Sequence, residues 1–133
     1  MSRRIVFLDR QSLIADMRVP SFAHDWIDHD QTRPEEVVSR IRGADIVIVN
    51  KVKLSGDILA QAPSVKMIAV SATGTDIVDL AYCRVHGIVV SNIRGYAVHT
   101  VPEHAFMLML ALRRNLLGWR EDCLLYTSPS PRD

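Results

Sequence analysis

The residues best placed to do chemistry sit in short polar stretches that follow apolar runs. The first is SATGTD, residues 71–76, directly after MIAV. A lone glycine among small hydroxylated residues, where a strand gives way to a helix, lets something approach the backbone closely. The N–H groups of Ala72, Thr73, Gly74 and Thr75 at such a helix N-terminus could hold a carboxylate or phosphate. In that reading Gly74 keeps the approach open and supplies a turn with positive φ. The plainer reading is that Gly74 only permits the turn and Asp76 only caps the helix. The second stretch is SNIRGYAVHT, residues 91–100, where Asn92, Arg94, Gly95 and Tyr96 gather. Arg94 either attracts an anionic substrate or is an ordinary solvated arginine. Lys51, in NKVKLSGD, either adds positive potential at the same edge or is an ordinary loop lysine.

Other titratable groups fit less well. Glu103 and His104 are neighbours in sequence, and adjacent residues on a helix point about 100° apart, so they do not form a pair with each other. Glu103 is more simply the partner of Thr100 in a capping box. The remaining histidines, His24, His29, His86 and His99, have no metal-ligand spacing, so no metal site is expected. The six glycines form neither G-x-G-x-x-G nor G-x-x-x-x-G-K. No nucleotide-binding loop, and hence no cofactor bound by these residues alone, is expected.

The elements that must position these stretches follow from the apolar pattern. Residues 4–8, 45–49, 67–70 and 87–90 are short, β-branched and almost continuously apolar, as strands buried on both faces are. WIDH, residues 26–29, is a weaker fifth strand. Helix starts are expected at Thr32-x-x-Glu35, Asp76-x-x-Asp79 and Thr100-x-x-Glu103, two of them with proline in the first turn. Stops are expected at Gly43, Gly87 and before Pro63. One helix and two short loops between strands is the spacing of βα units with right-handed crossovers. The expectation is an α/β fold with a flavodoxin-like open parallel sheet. It spans residues 1–98, followed by one long helix over 99–122. In the final segment, CLLYTSPSPRD, no period survives and Pro129 and Pro131 forbid regular structure. LLYTSPSPRD looks like translated adaptor sequence, so residues 123–133 are expected to be a non-native or disordered tail.

At 133 residues, 48% hydrophobic and 23% charged, the chain has the composition of a globular domain with a real core. A net charge of +1, with dispersed basic residues, argues against nucleic-acid or polybasic membrane binding. The longest apolar run, residues 105–112, falls far short of the ~18–20 residues of a membrane span. Two cysteines without C-x-x-C spacing, and no long apolar segment after the charged start, suit the cytoplasm.

Taken together, VSATGTDIVDLAYCRVHGIVVSNIRGYAVHTVPEHAFMLMLALRR resembles the D-isomer-specific 2-hydroxyacid dehydrogenases, particularly their glycerate dehydrogenase and hydroxypyruvate reductase branch. NIRGY and VPEHAFMLMLALRR are the most branch-specific parts, and the likeness runs from Met1 to about Asp122. The resemblance implies that the loop matching Ala72 to Gly74 holds the carboxylate of a 2-hydroxy or 2-oxo acid. It implies that the helix from Val101 bridges to a second domain and helps build a homodimer. It also implies NAD or NADP in the full-length enzyme. The family's catalytic arginine, glutamate and histidine lie in its later part and have no counterpart here, nor does its dinucleotide-binding domain. The expectation is therefore a substrate-side fragment, inactive alone. A binding or regulatory module of the same fold is the other class, since the family also includes transcriptional corepressors and flavodoxin-like folds serve as receivers. The absence of an acidic phosphoacceptor cluster disfavours a receiver, although Asp9 follows the first strand.

Overall fold

The computed structural model describes residues 2–125. It divides into two compact units, Met1–Arg94 and Gly95–Asp133, a boundary slightly earlier than the one expected at residue 98. The first unit carries five strands: β1 (Arg3–Phe7), β2 (His24–Asp28), β3 (Ile46–Val49), β4 (Met67–Val70) and β5 (Val89–Asn92). They form one sheet in the order β2-β1-β3-β4-β5, with every pair parallel. This is the flavodoxin-like order, and the weak WIDH candidate supplies its edge strand. β5 begins and ends two positions later than expected, so Ser91 and Asn92 belong to the strand rather than to the loop after it.

Side chains alternate across the sheet, so the inner strands β1, β3 and β4 feed two apolar layers. Val6, Val47, Val49, Ile68 and Val70 face one layer, completed by Val37 and Ile41 of α1 (Val37–Ile41), Leu59 of α2 (Gly56–Ala60) and Cys83 of α3 (Leu80–Val85). Ile5, Phe7 and Ile48 face the other, against Leu13, Met17 and Trp26. Burial on both faces is why these strands are apolar almost without interruption.

The stops fall where expected. Gly43 and Gly87 lie just past α1 and α3 with φ of +80° and +67°, the left-handed conformation that favours glycine. The starts do not. Thr32 caps nothing: its hydroxyl donates to the Leu8 carbonyl and accepts from the Arg40 guanidinium at 2.7 Å. The reciprocal carboxylate is Glu36, which accepts the Arg33 N–H at 2.9 Å and opens a 3₁₀ turn, Pro34–Glu36, ahead of α1. Asp76 is likewise not a cap. An isolated parallel bridge joins Leu54 to Val78, with Leu54 N–H to the Ile77 carbonyl at 2.7 Å and Asp79 N–H to the Leu54 carbonyl at 3.0 Å. Before that bridge the chain makes a turn closed by the Val78 N–H on the Thr75 carbonyl at 3.0 Å, and the helix starts only after Asp79, whose carboxylate caps α3 by accepting the Tyr82 N–H at 2.9 Å.

In the second unit the long helix expected over residues 99–122 is two helices, α4 (Thr100–Arg113) and α5 (Leu116–Leu125). Asn115, at φ +49°, breaks them, and asparagine is among the few side chains that tolerate that region. α4 starts at Thr100 without a side-chain cap, so the Thr100–Glu103 box is not formed. Neither helix buries any of its residues. α5 runs past Asp122 through Leu125, so the first three residues of the expected tail are helical, while residues 126–133 lie outside the described residues.

Two measurements follow. Asp79→Ala removes the cap of α3 and is expected to lower stability by about 1 kcal/mol, whereas Asp76→Ala stays within about 0.5 kcal/mol; urea midpoints that rank the two the other way contradict this cap assignment. The second concerns acid. The Arg4 N–H, then the Arg3 guanidinium at 3.0 Å, hold the Asp45 carboxyl below its ordinary 3.8. The Arg33 N–H, then Arg40, hold Glu36 below its ordinary 4.5. Because the unfolded chain binds these protons first as pH falls, the stabilisation is complete above the ordinary values and lost through the lowered folded ones. A Glu36→Gln, Asp45→Asn double variant should therefore be less stable at neutral pH and show a flatter acid limb in urea titrations.

Candidate active-site edge

Because all five strands run parallel, their carboxyl ends share one edge, and the polar stretches singled out in the sequence lie along it. Three loops meet around Asp9, which follows β1 and is only 6% exposed. Its carboxylate accepts the N–H of Asn50 at 2.9 Å and of Lys51 at 2.5 Å, tying the loop after β3 to the end of β1. The Asn50 side chain then donates to the Ser12 hydroxyl at 3.0 Å. Asp9 organises this edge although nothing in its sequence neighbourhood marks it for that role. Its position after an apolar strand was visible, but a long-range bond to backbone N–H groups leaves no local pattern.

The SATGTD loop leaves β4 one strand further along. Ser71 is anchored by its N–H to the Val49 carbonyl at 2.8 Å, and its hydroxyl reaches the same oxygen. The Ala72 carbonyl accepts the Ile93 N–H at 3.0 Å, and the Thr73 carbonyl accepts from the Asn92 side chain at 2.6 Å. A trans peptide points its N–H opposite to its C=O. The N–H groups of Thr73 and Gly74 therefore point away from those partners on the β5 side. Among the described residues, none of the N–H groups of Ala72, Thr73, Gly74 or Thr75 has an acceptor. Thr73 and Gly74 are exposed, and Ala72 is half-buried. Arg94 joins this group through its Nε, 3.4 Å from the Asn92 side-chain oxygen.

Two details of the expectation change. Gly74 is not among the residues with positive φ; that role falls to Gly43, Gly87, Gly95 and Asn115. The one atom that a Cβ at Gly74 would meet is a carboxylate oxygen of exposed Asp76 at 2.8 Å, a side-chain end that can move aside. Nor does the loop open a helix, since α3 begins only at Leu80. Any anion held there depends on individual N–H groups and not on a helix terminus.

Lys51 is placed differently from the others. It lines a cavity of about 880 Å³ at the ends of β1, β2 and β3, which none of Ala72, Thr73, Gly74 and Arg94 lines. The structure thus brings Arg94 to the 72–74 loop and leaves Lys51 on the far side of the β3 end. Among the described residues no three His, Cys, Asp or Glu side chains are placed to hold a metal ion. No helix among them is long and apolar enough to cross a membrane.

Comparison with known proteins bears on the family and the fold. The family described as D-isomer specific 2-hydroxyacid dehydrogenase, catalytic domain, matches residues 5–128. Glycerate dehydrogenase of Methylorubrum extorquens is 50% identical over 120 residues, covering 90% of this chain and 38% of that protein. A putative 2-hydroxyacid dehydrogenase of Haemophilus influenzae is 41% identical over 121 residues, with the same two coverages. Among solved structures, an acyclic imino acid reductase in complex with NADPH and D-Arg matches 97% of this chain and 43% of its own at TM-score 0.72 and 23% identity. A D-lactate dehydrogenase from Aquifex aeolicus, complexed with NAD and lactic acid, matches 96% and 39% at TM-score 0.62 and 24% identity. The two structural likenesses establish the fold, and this chain spans about two fifths of the length of its relatives. The sequence matches go further: the chain belongs to the D-isomer-specific 2-hydroxyacid dehydrogenases.

Proposed function

We propose that this chain is the substrate side of an NAD- or NADP-dependent oxidoreductase that interconverts a glycerate-like D-2-hydroxy acid and its 2-oxo acid, hydroxypyruvate or glyoxylate. The observation that carries the reading is the 72–74 loop, whose carbonyls are occupied from β5 while its N–H groups are left without acceptors. Ala72, Thr73 and Gly74 would hold the substrate carboxylate through those N–H groups, with Arg94 adding a fixed positive charge on the same side. Holding the carboxylate fixes the position of the adjacent carbonyl carbon, the atom that changes oxidation state, and so sets its approach to the cofactor. Lys51 would contribute only screened attraction.

The nicotinamide group supplies hydride when bound. The described residues do not fit its dinucleotide: the turn after β1 carries the Asp9 carboxylate where a pyrophosphate would need a glycine-rich cradle. This domain alone therefore binds acid and does not turn it over. The apolar α4, with Phe106 and Met109 each more than 60% exposed, suits a surface that the rest of the enzyme and a second copy cover. Two cysteines without a disulfide suit a cytoplasmic enzyme.

The test is a chimera in which residues 1–125 replace the matching segment of the Methylorubrum extorquens glycerate dehydrogenase. NADH-dependent reduction of hydroxypyruvate is the expected outcome. Gly74→Val should lower kcat/KM by about 100-fold, because a branched side chain fills the carboxylate's approach, while Lys51→Ala should cost about threefold. A folded chimera without turnover on any 2-oxo acid, or equal losses in the two variants, would overturn the reading.

A further inference from the structure

The 72–74 loop is held by two grips of different kinds, and one of them is a side chain. β4 and β5 pair with Val70 opposite Asn92, and one residue further on the Ile93 N–H reaches the Ala72 carbonyl at 3.0 Å. That backbone bond fixes the peptide whose other end is the Thr73 N–H. Among the described residues the next peptide has no backbone partner. Its carbonyl, that of Thr73, accepts from the Asn92 Nδ2 at 2.6 Å, so the direction of the Gly74 N–H is set by one side-chain amide.

The same amide meets Arg94, whose Nε donates to the Asn92 Oδ1 at 3.4 Å. A guanidinium only donates and a backbone carbonyl only accepts, so a single orientation of the Asn92 amide serves both. Among the described residues Arg94 has no ion-pair partner, and its two Nη groups have no other hydrogen bond.

We propose that Asn92 is a positioning residue of the carboxylate site, orienting the Gly74 N–H through the Thr73 carbonyl and holding the Arg94 guanidinium by its Nε, so that one carboxylate meets both donors. This role rests on the reading of the 72–74 loop as the substrate's carboxylate site, and it makes the N–H groups of that loop unequal. The Thr73 N–H is aimed by strand pairing alone. The Gly74 N–H and the guanidinium are both aimed by Asn92, which itself touches no substrate. An apolar side chain of the same size would leave the strands paired and release both donors, and directional bonds weaken steeply once their angle is free.

Titration of the ¹⁵N-labelled chain with D-glycerate tests this, with glycerol as the uncharged control. Saturable amide shifts at Thr73 and Gly74 are expected with glycerate and not with glycerol. Asn92→Leu, which matches the amide in size and removes both of its polar functions, should weaken binding about tenfold, and the shift that remains should persist at Thr73 and vanish at Gly74. Arg94→Gln should weaken binding about fivefold. In that background Asn92→Leu should cost only about twofold more, because the cation it positions is gone. A merely structural role would instead give the same loss in both backgrounds and affect both amides alike. If the sheet amides of Asn92→Leu are displaced, Asn92→Ser, which withdraws the amide without adding bulk, is read in the same cycle. Unchanged affinity in the Asn92 variants, or additive losses shared by Thr73 and Gly74, would overturn the role of Asn92 and leave the carboxylate site standing. No saturable shift at residues 72–75 of the unaltered chain would overturn the carboxylate site, and the role of Asn92 with it.

Discussion

Parallel pairing is the constraint on which the rest of this structure depends. Each strand must be followed by a crossover that carries the chain back to the opposite edge, so all five carboxyl ends lie together. Residues separated widely in sequence, Asp9, Thr32, Lys51, Thr73 and Arg94, thereby share one rim without any local signal to gather them. The same constraint buries the inner strands β1, β3 and β4 on both faces and fixes their near-continuous apolar character. Neither the clustering of polar loops nor the apolar strands that carry them could be kept without the other.

At that rim the free backbone groups are disposed of in two different ways. At the end of β3 the N–H groups of Asn50 and Lys51 are bound internally, by a carboxylate that is itself buried. At the end of β4 the corresponding groups of Thr73 and Gly74 are left open, although the carbonyls of the same loop are bound. An anion would compete with Asp9 in the first case and, in the second, would find N–H groups without an acceptor among the described residues. That difference favours the β4 loop as the carboxylate site, and it arises from one residue after β1.

How much of this was legible in the sequence depends on whether the determining interaction is local. Four strands are visible as β-branched runs and the edge strand β2 only as the weaker WIDH candidate, and the helix stops at Gly43 and Gly87 are visible because positive φ is a property of one residue. The starts are misplaced because a capping side chain has competing partners. Thr32 is taken by Leu8 and Arg40, and Asp76 lies in a turn closed by the Val78 N–H on the Thr75 carbonyl, just ahead of the bridge from Val78 to Leu54. Asn115 breaks the long helix within LRRNLLG, where the apolar pattern continues on both sides and gives no sign of a turn. At the candidate site, the 72–74 loop and Arg94 were legible from residue type and position after a strand. Asn92, which joins them, appeared only as one polar member of a cluster, because its role depends on the register of β5 beside β4.

The absence of a helix start at the 72–74 loop also alters the physics of anion binding there. A helix terminus offers a diffuse partial charge that tolerates an anion in many positions. Two individual N–H groups in a loop pinned through its carbonyls offer directional bonds, whose strength falls steeply with angle. Such a loop discriminates by the placement of the carboxylate oxygens more than by net charge. Because Ile93 and Asn92 supply the pins, the strand that precedes Arg94 sets both the direction of the N–H groups and the position of the nearby cation. If the 72–74 loop holds a short acid as proposed, the acid's orientation would rest on the β4–β5 pairing, and a shift of that register would misalign donor and cation together.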